Sequence, residues 1–276
     1  MSYHRRAPRL PLRDVVDHVW AFDGHVVALA RGRLFADGAM DVMFNLTDPL
    51  VTERDGRPRI WRAPWVCGPR TDAQPVQLTS RRFTIVGARI RPGSVGAVLG
   101  APATEVAEQV VELHEFWRGF ATEVHERIAT ARSIEARFDA LEDGLERRLI
   151  ARLLPRPAFA AMVAELRDSP TASIATLSRR LGVSHKHLTR LFRSHVGLGP
   201  KTFHRVGRFR ALVARLPWQR GAPDWAALAC AGGYADQAHL CRDFREFTGI
   251  TPTRFSPAWD APDYLPYGDS EADVGT

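Results

Sequence analysis

Residues 188–203 read LTRLFRSHVGLGPKTF, and the same pattern returns at residues 240–255 as LCRDFREFTGITPTRF. The Leu, both Arg residues, the first Phe, the Gly, the Pro and the final Phe recur fifty-two positions later, which indicates an internal repeat. Leu and Phe four residues apart share one face of a helix, and the Arg between them points away from it. The Gly ends this helix, and the following Pro prevents its continuation. Each copy is therefore predicted to be a helix with a buried stripe and a basic outer face.

The segment before each copy predicts a second, shorter helix that crosses the first. Each segment has a small residue at the crossing, a Gly for the turn and a polar residue that caps the following helix. These residues are Ser178, Gly182 and Ser184 before the first copy, and Ala229, Gly233 and Asp236 before the second. The sequence thus predicts two helix-turn-helix units. The alternative is a pair of antiparallel helices that binds nothing, and two copies with basic outer faces disfavour it.

Residues 158–256 resemble the DNA-binding domain of the AraC-type transcription regulators. The resemblance is carried mainly by the second unit, whose matching residues are Ala229, Gly233, Tyr234, Asp236, Gln237, Leu240, Phe244, Gly249 and Pro252. Leu240 stands where the family usually has an aromatic residue. The resemblance implies seven helices, two helix-turn-helix units and a connecting helix, here Phe203 to Leu216, that holds both recognition helices on one face of the DNA. It also implies contacts with RNA polymerase and activation of transcription.

The charge distribution supports a nucleic-acid partner for this part of the chain. The whole chain carries a net charge of +7. Residues 158–258 hold 15 basic and 6 acidic residues, a net charge of +9, which leaves −2 for the remainder. A basic part beside a nearly neutral part is typical of a polyanion-binding module attached to another domain. Because no basic amphipathic anchor is present, double-stranded DNA is favoured over a membrane surface.

The outward positions of the two recognition helices are the candidate DNA contacts. They are His185, Lys186, His187, Thr189, Arg190 and Arg193 in the first unit, and Gln237, Ala238, His239, Cys241, Arg242 and Arg245 in the second. By position in the family pattern, Lys186, Thr189 and Arg190 are candidates for base edges, and His187 and Arg193 for phosphates. Arg242 is placed to pair with guanine.

Two of these assignments have alternatives. Gln237 pairs with adenine or caps its helix. Arg190 and Arg242 contact bases, or they are structural and form ion pairs with neighbouring carboxylates. Arg245 is expected to contact the DNA backbone or a nearby carboxylate.

The first half of the chain predicts a small sheet or barrel followed by helices. The strand-like runs are Val26–Leu29, Met40–Leu46 and Phe83–Ile90, and the helical patterns are Ala103–Val111, Glu115–Ala129 and Ile134–Leu154. The last helix has an apolar stripe that packs on the sheet or pairs with a second copy of the chain. The fold class is therefore α+β, with a β-rich N-terminal domain and trailing helices, then an all-α C-terminal domain.

The predicted boundaries are residues 1–155 for a regulatory or oligomerisation domain with a helical linker, 156–260 for the DNA-binding domain, and 261–276 for a disordered tail. Three phrases of the first domain resemble one subgroup of AraC-type regulators, namely residues 37–46, 68–71 and 87–93. The resemblance implies a domain that senses a small effector or forms a homodimer. Trp61, Trp65 and Cys67 are the candidate effector contacts, and the alternative is a buried aromatic cluster with a core thiol. Asp37, Asp41 and Asn45 fit turn capping equally well.

We expect no enzyme activity, no cofactor and no metal, because His18, His25 and Glu53 are scattered and Cys67 has no neighbouring cysteine. The alternative is a bifunctional protein with a catalytic or metal-binding N-terminal domain. Cys230 is expected in the core, and Cys241 beside the DNA. With no secretory signal and no long apolar segment, the expected location is cytoplasmic, without a membrane partner.

Overall fold

The computed structural model describes residues 2–25, 31–34, 36–54, 57–62, 64–78, 82–214, 216 and 223–255. The predicted strand Val26–Leu29 and the predicted tail at 261–276 lie outside these residues. The strands are β1 (Ser2–Arg6), β2 (Val16–His25), β3 (Arg31–Leu34), β4 (Met40–Asn45), β5 (Leu50–Arg54), β6 (Arg57–Trp61), β7 (Trp65–Cys67), β8 (Gln74–Leu78), β9 (Arg82–Ile90) and β10 (Val110–Glu112). The helices are α1 (Val95–Leu99), α2 (His114–Trp117), α3 (Gly119–Thr130), α4 (Ile134–Arg148), α5 (Pro157–Asp168), α6 (Ile174–Arg180), α7 (His185–Val196), α8 (Pro200–Val213), α9 (Trp225–Ala231), α10 (Gln237–Thr248) and α11 (Pro252–Phe255).

The N-terminal part contains two antiparallel sheets. One has the order β1-β2-β9-β4-β7-β10, and the other has the order β3-β8-β5-β6. Strand β4 lies inside the first sheet and is buried along its whole length. Since side chains alternate along a strand, Met40 and Phe44 pack in the core shared with α1, α3 and α4, whereas Met43 packs between the sheets. The predicted strands at Met40–Leu46 and Phe83–Ile90 are confirmed.

The helices that follow the sheet depart from prediction at two places. The helix predicted over Ala103–Val111 is wrong, because only a short 3-10 turn forms at Ala103–Glu105. Glu108 has a positive φ of 60°, which no helix accommodates, and β10 then pairs with β7 at the edge of the sheet. The helix predicted over Glu115–Ala129 is divided into α2 and α3 at Arg118, whose φ is 50°.

Helix α4 confirms the predicted apolar stripe but ends at Arg148, six residues before the predicted end at Leu154. Phe138, Leu141 and Leu145 are at most 2% exposed and belong to the core that the helices share with the first sheet. The stripe therefore packs on the sheet of its own chain. Its central residues are buried without a second copy of the chain.

All regular elements described between residues 157 and 255 are helices. Helices α5 to α11 give seven helices among the described residues, the number implied by the resemblance. The connecting helix α8 begins at Pro200, three residues before its predicted start, because Pro at the first helical position leaves no backbone donor unsatisfied. Its Phe203 packs in the core of the first unit, while Phe209 and Leu212 pack in the core of the second.

The two parts of the chain are in close contact around α8. A Cβ on Gly38 would lie 2.7 Å from the ring of Phe203, so a residue without a side chain is required there. The backbone N–H of Ala36 donates to the carbonyl of Phe247 on α10 at 3.2 Å. At the end of α7, a Cβ on Gly197 would lie 3.1 Å from the Cβ of Ala107. Loops of the N-terminal part thus contact both units of the helical part.

Helices α5 and α8 cross closely at Gly207, and this crossing generates a prediction. A Cβ on Gly207 would lie 2.9 Å from the carbonyl oxygen of Arg167, a backbone atom that cannot turn aside. Gly207→Val is expected to lower the free energy of unfolding by about 1–3 kcal/mol through overpacking. Urea unfolding measures the loss. Gly119→Val is the matched control, since a Cβ there meets nothing within 4 Å. Equal stability of the two variants would contradict this packing.

Candidate nucleic-acid interface

The first helix-turn-helix unit consists of α6 and α7, joined by a tight turn. Gly182 adopts a φ of +66°, a conformation that favours glycine. The hydroxyl of Ser178 donates to the carbonyl of Val183 at 2.7 Å and closes the turn. The side chain of Ser184 accepts from the backbone N–H of His187 at 3.3 Å and caps α7. The turn and the cap predicted from the sequence are confirmed.

The second unit, α9 and α10, repeats this arrangement with different residues. Gly233 has a φ of +72°, and Ala229 is 2% exposed at the crossing of the helices. The carboxylate of Asp236 accepts from the backbone N–H of His239 at 2.6 Å, so Asp236 caps α10. The capping alternative for Gln237 is therefore wrong, because the position before it fills that role.

The repeated residues occupy equivalent structural positions in both copies. Its Leu and Phe are buried: Leu188, Phe192, Leu240 and Phe244 are at most 1% exposed. Both helices end in a glycine in the left-handed conformation, with φ of 89° at Gly197 and 73° at Gly249. The buried stripes and the helix ends predicted from the repeat are confirmed.

The outer face of α7 is basic, and its cations are exposed to solvent. Lys186, Arg190 and Arg193 are exposed, and none of them pairs with a carboxylate among the described residues. The guanidinium of Arg190 lies 2.9 Å from Nδ1 of His187, so these two neighbours orient each other. The hydroxyl of Thr189 donates to a carbonyl of its own helix at 2.9 Å, which leaves its lone pairs available. His185, the remaining predicted contact, is exposed at the start of the helix.

The outer face of α10 is less basic. Gln237, Ala238, Arg242 and Arg245 are exposed, and Cys241 is half-buried. Neither Arg242 nor Arg245 pairs with a carboxylate in the described part of the chain, and Arg190 also lacks such a partner. The structural alternative for Arg190 and Arg242, in which each forms an ion pair, is therefore not observed.

His239 departs from the outward direction expected for it. Its Nε2 lies 3.2 Å from the guanidinium of Arg208 on α8, and its ring meets the edge of the Tyr234 ring at 5.3 Å between centroids. The His239 side chain is 31% exposed. His239 and the buried Asp243 are four residues apart and so lie on the same face of α10. This spacing is the sequence feature that indicates that His239 faces α8.

A buried carboxylate missed by the sequence reasoning holds α10 in place. Asp243 is 2% exposed and accepts from Arg205 at 2.7 Å and from Arg208 at 3.0 Å. Arg205 also pairs with Glu246 at 2.6 Å, and Arg208 lies 4.2 Å from the centroid of the Tyr234 ring. Two cations of the connecting helix thus orient the second recognition helix. The polar residue within an otherwise apolar repeat position, Asp243 in place of Leu191, is the signal for this contact.

The three N-terminal phrases meet at the contact between the sheet and α8. Asp37 forms a short ion pair with Arg89 and a second with Arg210 on α8 at 2.8 Å. The backbone of Asp37 also exchanges hydrogen bonds with the backbone of Arg70. Residues from separate turns and strands therefore form one partly buried charged cluster that crosses between the two parts of the chain.

Burial and the neighbouring charges shift the pKa values of the two carboxylates in this cluster in opposite directions overall. Burial works against the charge of Asp37, but the guanidinium groups of Arg210 and Arg89 outweigh it and hold its pKa below the ordinary value. Burial raises the pKa of Asp41, which shares Arg89 with Asp37 and accepts from the indole N–H of Trp20 at 3.1 Å. Asp37 therefore carries the charge that reaches α8.

The turn-capping alternative is correct for some of the phrase residues and wrong for one. Asp37 accepts from the backbone N–H of Ala39 at 3.1 Å, and Asn45 accepts from that of Thr47 at 3.2 Å. Asp41, by contrast, is 4% exposed inside strand β4 and caps no turn.

The candidate effector residues lie in the core between the two sheets. Trp61, Trp65 and Cys67 are 6%, 2% and 7% exposed, and the two indole rings are 6.4 Å apart. Burial raises the pKa of the Cys67 thiol to about 11, so the thiol is neutral at pH 7. Trp61 also borders a cavity of about 910 Å³ that includes Arg59 and His114. All three residues are therefore packed as a buried aromatic cluster with a core thiol. Of the three, Trp61 is the one that also lines the cavity.

The other two cysteines lie in the helical part. Cys230 is exposed, so its predicted place in the core is wrong: α9 turns Ala229 inward and Cys230 outward.

Among the residues that the structure describes, no cluster of His, Cys, Asp and Glu could hold a metal ion. None of the described helices combines the length and the apolar character needed to span a membrane.

Two family models match the chain. Residues 4–112 match a family described as a domain of unknown function, DUF6597. Residues 177–257 match a family described as a helix-turn-helix domain. The C-terminal part is therefore a helix-turn-helix domain, a class of module that binds DNA. No protein of curated function matches the sequence significantly.

Solved structures of similar architecture include two of ToxT from Vibrio cholerae. One is 7% identical, with a TM-score of 0.48 over 88% of this chain and 98% of that chain. The other, wild-type ToxT bound to unsaturated fatty acid, is 10% identical, with a TM-score of 0.45 over 88% and 94%. The AraC-like transcriptional activator CuxR is 15% identical, with a TM-score of 0.27 over 77% and 86%. These values describe a distant likeness.

The Asp243 contact generates a prediction about the second unit. Asp243→Ala removes the shared partner of Arg205 and Arg208 and leaves two cations facing each other near a buried surface. We expect the free energy of unfolding to fall by about 1–3 kcal/mol, as measured by urea unfolding. Glu246→Ala is the matched control, because Glu246 pairs with the same Arg205 but is 50% exposed, and exposed pairs contribute roughly 0–1 kcal/mol. Similar losses in the two variants would rule out a special role for Asp243.

The Asp37 cluster generates a second prediction. Asp37→Asn leaves Arg89 and Arg210 without their shared counter-charge, and the expected destabilisation is about 1–3 kcal/mol in thermal or urea unfolding. The stabilisation by Asp37 is present above its ordinary pKa and is lost as pH falls through its lowered folded-state pKa, so the difference between wild type and variant shrinks in acid. Asp72→Asn is the control, since Asp72 pairs with Arg70 at a position 66% exposed. A difference that stays constant down to strongly acidic pH would contradict the ion-pair explanation.

Proposed function

We propose that this chain is an AraC-type transcription regulator that binds double-stranded DNA sequence-specifically. Helices α7 and α10 enter successive major grooves, which lie about 34 Å apart along the duplex. The observation that carries the proposal is the exposed basic face of α7, whose Lys186, Arg190 and Arg193 pair with no carboxylate among the described residues. This face is presented on a helix-turn-helix domain whose unit occurs twice. Since α8 packs in the cores of both units, the two recognition helices form one rigid reader.

The side chains of α7 divide into two roles. Lys186, Thr189 and Arg190 meet base edges, and the fork of Arg190 suits O6 and N7 of guanine, for roughly 1–3 kcal/mol of discrimination. His187 and Arg193 meet phosphates, with His185 at the helix start. On α10 the proposed contacts are Gln237, Ala238, Cys241, Arg242 and Arg245, with His239 at the margin because Arg208 holds it.

The N-terminal part regulates this reader in our proposal, through a small effector or through formation of a homodimer. The cavity beside Trp61, of about 910 Å³, supports the effector version, whereas the packing of Trp65 and Cys67 gives them no direct role in it. A thermal-shift screen separates the versions, because a specific ligand raises the unfolding temperature by mass action. We propose further that the protein has no enzyme activity, works in the cytoplasm and activates transcription by contacting RNA polymerase.

The experiment that tests the proposed function is a binding selection from random duplex DNA with the purified full-length protein, followed by sequencing. We expect an enriched motif with two blocks about one helical turn apart, roughly 10 base pairs. Binding that depends on salt but enriches no sequence would overturn the proposal of a sequence-specific regulator.

The division of roles on α7 predicts different defects in two variants. Arg190→Ala is expected to relax the preference for bases within one half-site. Arg193→Ala is expected to weaken binding to all sequences alike and to lower the slope of log K against log salt by about 0.9, the contribution of one phosphate contact. Titration of each variant with cognate and mutated duplexes at several salt concentrations measures both effects. If both variants lose affinity equally on every sequence, the assignment of Arg190 to bases is wrong.

A further inference from the structure

The two helix-turn-helix units carry opposite net charges, although their folds are repeats of each other. Residues 171–199, which hold the first unit, contain five basic residues and no acidic residue, a net charge of +5. Residues 223–251, the corresponding stretch of the second unit, contain two basic and four acidic residues, a net charge of −2. One of the five cations, Arg180, pairs with Glu165 on α5. The other four still exceed the two of the second unit, so attraction to phosphates is concentrated in the first unit.

The connecting helix does not restore the balance, because its cations beside the second unit are already paired. Arg205 pairs with Asp243 and Glu246, and Arg208 pairs with Asp243. Arg242 and Arg245 are left as the cations that α10 itself presents to a partner. By contrast, α7 presents Lys186, Arg190 and Arg193 with no carboxylate partner among the described residues.

The first turns of the two recognition helices differ most. Ser184 and Asp236 are equivalent caps, so His185 and Lys186 in α7 correspond to Gln237 and Ala238 in α10. All four side chains are exposed. The N-terminal residues of a recognition helix are those that contact base edges. The two units thus offer different chemistry at the positions that read bases.

This chemistry has different partners in the major groove. Lys pairs with O6 and N7 of guanine, Gln pairs with N6 and N7 of adenine, and a small apolar side chain such as Ala contacts the methyl group of thymine. Cys241, half-buried one turn after Gln237, adds a second small apolar surface on the same side of α10.

We propose that the operator is asymmetric at the bases that face the first turns of the two recognition helices, with guanine opposite Lys186 of α7 and A·T pairs opposite Gln237 and Ala238 of α10. Arg190 and Arg242 occupy equivalent positions later in the two helices, so a guanine at that point is common to both half-sites. The inference builds on the proposed function and names the DNA that each unit recognises. The first unit supplies most of the attraction to phosphates, and the second supplies discrimination at its A·T positions.

The test begins with the motif selected by full-length protein from random duplex DNA. Two blocks are the expected result, one with a conserved guanine and the other with conserved A·T pairs at the position that faces the first turn of its recognition helix. Two blocks with equal guanine content, or a single block, would overturn the inference while leaving DNA-binding regulation intact. Failure to enrich any sequence would instead overturn the proposed function itself.

A variant then assigns the A·T block to α10. Ala238→Lys places at this position the residue that α7 has at Lys186, and since Ala238 is exposed the fold is retained. One position of the A·T block is expected to change to guanine, with a preference of about tenfold or more in competition binding. Ala231→Lys is the matched control, because it adds the same charge at an exposed position of α9. It should raise affinity for all sequences without changing the motif. An unchanged motif with Ala238→Lys would overturn the assignment.

Discussion

The packing of helix α8 between its neighbours is the constraint on which the helical part depends. Phe203 enters the core of the first unit, and Phe209 and Leu212 enter the core of the second, so neither core is complete without this helix. At Gly207 the helix approaches α5 so closely that no side chain fits. Because both recognition helices pack on one rigid element, their relative orientation is set by its length and by the side chains along it.

Ion pairs at these contacts fix the relative orientation of the packed elements. Such pairs contribute little net stability, since desolvation of the charges offsets their attraction, but an unpaired buried charge is costly. An arrangement that keeps every partner in place is therefore favoured over nearby alternatives. Asp243 in this way aligns α10 with α8, and Asp37 aligns α8 with the sheet. The three phrases at residues 37–46, 68–71 and 87–93, where the sequence indicated turns and strands, supply the residues of the contact between the sheet and α8.

The same ion pairs explain how two similar units differ in function. In the first unit, Lys186, Arg190 and Arg193 of α7 have no carboxylate partner among the described residues and are available to DNA. The second unit uses Arg205 and Arg208 of α8 to hold its recognition helix. Structural pairing and attraction to DNA compete for the same guanidinium groups. A unit that is held by charge therefore depends on hydrogen bonds and apolar contacts at the bases for its share of recognition.

The sequence by itself determined the features that depend on neighbouring residues. The repeat, the caps at Ser184 and Asp236 and the apolar stripe of α4 were all predicted, because helix periodicity and capping act within a few residues. Only the tertiary structure decided the strand at Val110–Glu112, where pairing with β7 overrides a helical pattern. It likewise decided the position of His239 and the contact between Asp37 and Arg210, which are 173 residues apart. Contacts of this kind arise when the chain folds back on itself, and periodicity within a local window carries no information about them.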